Sequence, residues 1–194
     1  MNPEVEEWRR APGRGKYAKP EMERRFLVAS MPATSGPPRL IEDRYLDDTS
    51  LRLRRVSVGA ECVFKLTQKV RAVRDDPAEV ATTNIYLTVE EYAQFLRLPG
   101  AVIEKRRHVC LWQDSTYVVD EFLGRLKGLR LAEIEVLSVE APMRLPSWAG
   151  REVTHVERFS GGALARTGHN QIEELLNNVG VVARPSVRTA DQRR

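Results

Sequence analysis

Residues 21–28 read EMERRFLV, and the alternation of that stretch decides the fold. Successive side chains of a strand point to opposite faces, so Glu21, Glu23 and Arg25 project the same way. The period of two recurs down the chain. Arg52 and Arg54 share one face while Leu51 and Leu53 take the other, and Lys65 and Lys69 oppose Phe64 and Leu66. Lys105 and Arg107 pair in the same manner, and Glu133 and Glu135 oppose Ala132, Ile134 and Val136. Any one of these strands is explained by a half-exposed antiparallel sheet with a solvated polar face. The polar faces, however, carry nearly pure Arg/Lys or pure Glu. If the sheet closes on itself, they line a lumen of clustered cations with a carboxylate group at one side. Like charges at close range repel by a few kcal/mol per pair at an effective dielectric of about 20. Such a lumen calls for a polyanion and a divalent metal.

Working outward, further strands fit residues 40–46, 51–56, 62–69, 82–87, 105–112, 116–122 and 129–139. The turn Ser57-Val58-Gly59-Ala60 joins two of them as a hairpin. Thr88 followed by Glu91 makes a capping box that opens a helix over 89–98, stopped by Pro99-Gly100. A second helix fits 171–179, capped by Asn170 and stopped by Gly180. The Pro/Gly/Ser stretch 30–38 reads as a loop, the charged stretch 71–79 with Pro77 as a mobile connection, and 140–151 as a connecting flap. Short turns fit 148–165. Residues 1–19 read as a flexible arm, 20–182 as one domain, and 183–194 as a polar, basic tail. Mostly antiparallel strands with two helices define an α+β fold built around a sheet or barrel.

Composition narrows the function. The chain has 194 residues, 42% of them hydrophobic and 30% charged, with a net charge of +4, so one soluble globular domain is expected. The opening residues are too charged for a signal peptide and no apolar run has the length to cross a bilayer, which predicts a cytoplasmic protein with no membrane partner. Cys62 and Cys110 stand far apart with no C-x-x-C spacing, so neither a disulfide framework nor a zinc site is expected. His108, His155 and His169 show no metal-ligand spacing. Trp112, Trp148 and Phe159 read as packing rather than base-stacking platforms, and no specific nucleic-acid partner is expected. Tyr45 and Tyr86 read either as lumen residues or as core anchors.

The motifs in chain order resemble the CYTH domain, the family of triphosphate tunnel metalloenzymes. EMERRF resembles the family's E-x-E-x-K/R signature, and the likeness continues through RLR at 52–54, KLTQK at 65–69, IEKRR at 103–107, VDEF at 119–122 and LAEIEV at 131–136. The closing PSWAGREVTHVERFSGGALA at 146–165 resembles the family's P-x-W-x-G-x-E-V-T…R-Y-x-N-x-x-L-A segment. The resemblance implies an eight-stranded antiparallel β-barrel with a polar tunnel and a few flanking helices, and metal-dependent hydrolysis of a triphosphate. It further implies that Glu21, Glu23, Asp120, Glu133 and Glu135 bind Mg²⁺ or Mn²⁺, with Glu23, Glu135 and Asp120 taking part in catalysis. Arg25, Arg52, Arg54, Lys69, Lys105 and Arg107 match the basic positions that grip phosphate, and Lys65 shares the face of Lys69. These residue types suit the chemistry: hard carboxylate oxygens for Mg²⁺ or Mn²⁺, and Arg forks and Lys point charges for phosphate.

Two stretches depart from the pattern. Thr82, Asn84 and Tyr86 stand where tripolyphosphatase-like relatives carry acids, and Asp43-Arg44 stands where relatives often have Gln-Gly. Neutral groups at 82, 84 and 86 leave the lumen more positive. The first expectation is a triphosphatase acting on inorganic tripolyphosphate or a related small triphosphate or polyphosphate. The alternatives are a non-hydrolysing triphosphate or polyphosphate sensor and a class IV-type adenylyl cyclase.

Overall fold

A computed structural model of the chain describes residues 11–71, 79–168, 171–172 and 174–175. The expectations for residues 1–10 of the arm, most of the mobile connection, Asn170 and most of the second helix, and the 183–194 tail lie outside these residues. Residues 11–18 make turns and bends ahead of the first strand.

Eight antiparallel strands form the barrel: β1 (Lys19–Val28), β2 (Ser35–Leu46), β3 (Leu51–Val58), β4 (Glu61–Arg71), β5 (Glu79–Leu87), β6 (Gly100–Trp112), β7 (Ser115–Phe122) and β8 (Arg130–Glu135). The hydrogen-bonded order β5-β4-β3-β2-β6-β7-β8-β1 closes through pairing of β1 with β5. Closure removes the sheet edges and gives the strands an inside and an outside. A short ninth strand, β9 (Ala149–Glu152), pairs with the C-terminal half of β1, and Arg24 grips Glu152 through Nε at 2.9 Å. This strand falls where the sequence suggested a flap and short turns.

Several strand limits also differ from the sequence reading, among them β4 and β5, which extend to Arg71 and back to Glu79. β2 begins at Ser35 and so includes Pro37 and Pro38. The β2–β3 ladder starts only at Leu40, and the β2–β6 register shifts between Ser35 and Arg39. The prolines thus sit where no ladder donor is needed. β6 starts at Gly100 rather than 105, because residues 100–103 pair with Asp43–Leu46 at the far end of β2. β8 stops at Glu135, short of 139. The β3–β4 hairpin turns through Gly59 and Ala60, with Gly59 at φ +56°, the left-handed region that glycine enters without penalty.

The barrel is polar within and apolar without, so its outer faces need covers. Helix α1 (Val89–Phe95) opens at Thr88, which accepts from the Glu91 amide while Glu91 caps the Thr88 amide in return. It lays Tyr92 and Phe95 over Leu46, Leu53 and Leu66. On the opposite side Phe26, Val28, Cys110, Tyr117, Val119, Ala132 and Ile134 form an outer core that Met143 and Trp148 cover, Trp148 meeting Tyr117 edge-on at 5.1 Å. At one end the lumen itself turns apolar: Leu27, Ile103, Phe122 and Leu131 pack against Val153, Phe159 and Leu164. Phe159 comes from a 3₁₀ turn (Glu157–Phe159) and Leu164 from helix α2 (Gly161–Arg166), capped by Ser160. Arg125 anchors that plug by donating to the carbonyls of Leu164, Thr167, Ala165 and Val102. Among the described residues no helix is long and apolar enough to cross a membrane.

Candidate functional site

The register places the alternating charges on one interior surface. Asp43 opposes Arg54, Arg54 opposes Lys65, Lys69 opposes Thr82, Arg25 opposes Glu133, and Arg107 opposes Asp120. Most of them surround a cavity of about 420 Å³, while Asp43 and Asp120 stay outside its lining. All the basic residues expected to grip phosphate line it: Arg25, Arg52, Arg54, Lys65, Lys69, Lys105 and Arg107. Glu21, Glu23 and Glu133 line it as well.

Asp120 and Glu135 are placed differently from the expectation. Asp120 is 1% exposed and lies on the interior face beneath Lys105 and Arg107, outside the cavity lining, with both oxygens already taken. Arg107 reaches them through Nε and an Nη at 2.7 Å each, and Lys105 Nζ approaches at 2.5 Å. Burial would raise the Asp120 carboxyl, but Arg107 and then Lys105 outweigh it and hold the group well below the usual carboxylate range. Its chemistry is that of a clamp on two cations. Glu135 opposes Glu23 in register at the outer end of β8, exposed and outside the cavity lining.

Asp43, which the sequence showed only as a departure from the family pattern, is a second clamp. It is fully buried and accepts from Arg54 at 2.6 and 2.7 Å, with Arg52 Nε 3.5 Å away. Burial pushes its carboxyl up, and the charges of Arg52 and Arg54 override that to hold it far below the usual range. Two buried aspartates thus fix the interior guanidiniums and the Lys105 ammonium. The alternation rule gives the signal for it, since Asp43 and Tyr45 share a β2 face that abuts Arg54 and Arg52. Arg71 and Glu157 were also missed. They pair with each other in the cavity lining beside the plug turn, in segments read as connection and turn.

The remaining cations are less satisfied. Arg25 and Arg52 each keep a buried Nε with no hydrogen-bond partner among the described residues. Lys65 lies over the Tyr86 ring at 4.7 Å, and Lys69 donates to Glu21 at 2.9 Å. Interior guanidinium donors left without a hydrogen bond have capacity to spare for an anion.

The carboxylates supply the opposite need. The charge of Glu133, and then burial, pushes the Glu23 carboxyl up. Burial would raise Glu133 too, but Arg107 brings it below the usual value; Lys69 does the same for Glu21. Two crowded carboxylates beside a third make a hard-oxygen donor set that a divalent cation would relieve. Among the described residues no three acidic, histidine or cysteine side chains are gathered into a preformed cage. Magnesium-sized ions take one or two carboxylates and complete their shell with phosphate oxygens and water, so the donor set fits. On β5, Thr82 and Asn84 line the wall and Asn84 accepts from Thr67 at 2.7 Å, while Tyr86 is exposed beyond them.

A closed antiparallel barrel, clad in apolar residues and lined with cations and carboxylates, defines a protein with an enclosed, highly charged interior. No family model matches the chain, yet curated relatives do. It is 31% identical over 153 residues to the inorganic triphosphatase of Nitrosomonas europaea, a match covering 75% of this chain and 96% of that one. It is 40% identical over 73 residues to the inorganic triphosphatase of Acetivibrio thermocellus, covering 38% of this chain and 47% of that relative. The solved structure of the inorganic triphosphatase NE1496 superposes with a TM-score of 0.53 at 28% identity, over 76% of this chain and 95% of that one. The chain belongs to the CYTH family of triphosphate tunnel enzymes.

Proposed function

We propose that the protein hydrolyses inorganic tripolyphosphate or a related small triphosphate, using Mg²⁺ or Mn²⁺. One observation carries the reading: the guanidiniums of Arg25 and Arg52, each with an Nε that makes no hydrogen bond among the described residues, share a cavity with Glu21, Glu23 and Glu133, in a chain matched along 96% of an inorganic triphosphatase. Phosphoryl transfer asks the protein for positioning and charge neutralisation more than for covalent chemistry. Arg25, Arg52, Lys65 and Lys69 hold the phosphate oxygens, while Asp43 and Asp120 keep Arg54, Lys105 and Arg107 aimed inward. Glu21 and Glu133 hold the divalent ion, with Glu135 reaching from the mouth. When bound, that ion draws charge from the phosphate oxygens. Glu23, pushed up by its neighbour, takes the proton of the attacking water. Metal dependence is typical of the family. We place the protein in the cytoplasm, in keeping with two free thiols, exposed Cys62 and buried Cys110.

The test is a substrate panel. The purified protein is given tripolyphosphate, ATP and thiamine triphosphate with Mg²⁺ or Mn²⁺, while phosphate release and cyclic AMP are followed. Release of phosphate is the expected result. Cyclic AMP would indicate a cyclase, and calorimetric binding with no product a sensor. Arg52→Ala is expected to raise KM by about tenfold to a hundredfold, the loss of one charge-assisted contact. Asp43 keeps both hydrogen bonds from Arg54, so the melting temperature should barely move.

A further inference from the structure

The β5 wall of the cavity is neutral, and its one amide is held in a fixed orientation. Thr82 and Asn84 line the cavity from this wall, opposing Lys69 and Thr67 on β4. Thr67 is fully buried, so its hydroxyl proton needs an acceptor within the protein. Arg52 Nη2, 3.5 Å from that hydroxyl, can only donate to it, and Asn84 Oδ1 at 2.7 Å takes the proton. A flipped amide would leave the buried proton with no acceptor. The Asn84 carbonyl oxygen is therefore spent on the wall. What the exposed Asn84 side chain offers the cavity is its NH₂ group, a donor. Thr82 Oγ1, which is buried, makes no hydrogen bond among the described residues.

Neutrality at this wall also decides the charge of the interior. Among the described residues, eight Arg and Lys side chains line the cavity against four Glu carboxylates. The clamps Asp43 and Asp120 bring the acids to six, which leaves two positive charges in surplus. Carboxylates at 82 and 84 would have cancelled them. An interior with that surplus attracts an anion before it attracts a cation.

We infer that Asn84 is a phosphate-binding residue, and that the neutral β5 wall lets this cavity take a triphosphate before any divalent ion is bound. This rests on reading the cavity as a triphosphate site. An Asn84 N–H donates to a non-bridging phosphate oxygen, beside Lys65 and Lys69, which flank its partner Thr67 on the same face of β4. A carboxylate at 84 would reverse the preference: it would repel the phosphate and need a divalent ion to bridge the two.

Isothermal titration calorimetry with an imido-linked triphosphate, which resists hydrolysis, reads the difference, first in EDTA and then with Mn²⁺. The parent is expected to bind in EDTA. Asn84→Asp keeps the acceptor for the Thr67 proton, so the wall should stay folded, and melting curves check this. That variant should bind about tenfold to a hundredfold more weakly in EDTA and recover most of the loss with Mn²⁺. Asn84→Ala, which removes the donor without adding charge, should weaken binding about tenfold in both conditions. Electron paramagnetic resonance of the liganded proteins should count one more bound Mn²⁺ in Asn84→Asp than in the parent. A parent that binds only with Mn²⁺, or folded variants that bind in EDTA as the parent does, would overturn the donor wall; phosphate release in the substrate panel would still stand. A parent that binds the triphosphate under neither condition would remove both readings.

Discussion

Replacing Asp120 by asparagine is expected to lower the melting temperature by on the order of 10 °C. Asp120 is buried with both oxygens engaged, and its removal leaves Lys105 without a charged hydrogen-bond partner and Arg107 with Glu133 alone. Breaking a buried ion pair by deleting one partner costs about 3–5 kcal/mol, since the stranded charge has lost its water as well. Asp120 has a depressed folded-state value, so its contribution is fully present above the unfolded carboxylate value of about 3.9 and fades as pH falls below it. Differential scanning calorimetry should therefore show the parent losing stability on acidification below that value, and the asparagine variant losing less. Tripolyphosphate should raise the variant's melting temperature more than the parent's, because the anion supplies the charge that the stranded cations lack. An unchanged melting temperature would mean that Asp120 is not a clamp.

Glu23→Gln is expected to cut turnover by roughly 10²–10⁴ while leaving the fold at least as stable. The two halves of this result have one cause. Glu133 pushes the Glu23 carboxyl up, which makes it a better proton acceptor and also a source of repulsion. Glutamine keeps the shape and removes both. A steady-state assay beside a melting curve separates this from simple damage. A variant that loses activity together with ten degrees of stability would point to a structural role instead.

The strands' charge pattern was legible because a period of two, with pure cations or pure carboxylates on one face, has few other uses. Arg25, Arg52, Lys69, Lys105 and Arg107 all reach the cavity from that rule alone. The clamps were not legible in the same way. Asp120 and Glu133 look alike in sequence, and only the position of Asp120 between Lys105 and Arg107 in three dimensions separates a spent carboxylate from an available one. Glu135 shares the face of Glu133, but β8 ends there and leaves it exposed. β9 was missed because AGRE is four residues long and pairs with a strand more than a hundred positions earlier, a partner no local pattern reveals. The early start of β2 was hidden by Pro37 and Pro38, which break a central strand but not an unpaired stretch.

The central claim is that a triphosphate is held inside the barrel, on side chains drawn from several strands at once. A crystal structure with an imido-linked triphosphate, which resists hydrolysis, and Mg²⁺ tests it most directly. The phosphates should lie within hydrogen-bond distance of Arg25, Arg52 and Lys69, with the ion on Glu21 or Glu133. A ligand bound to the outer surface, with the interior guanidiniums untouched, would contradict it.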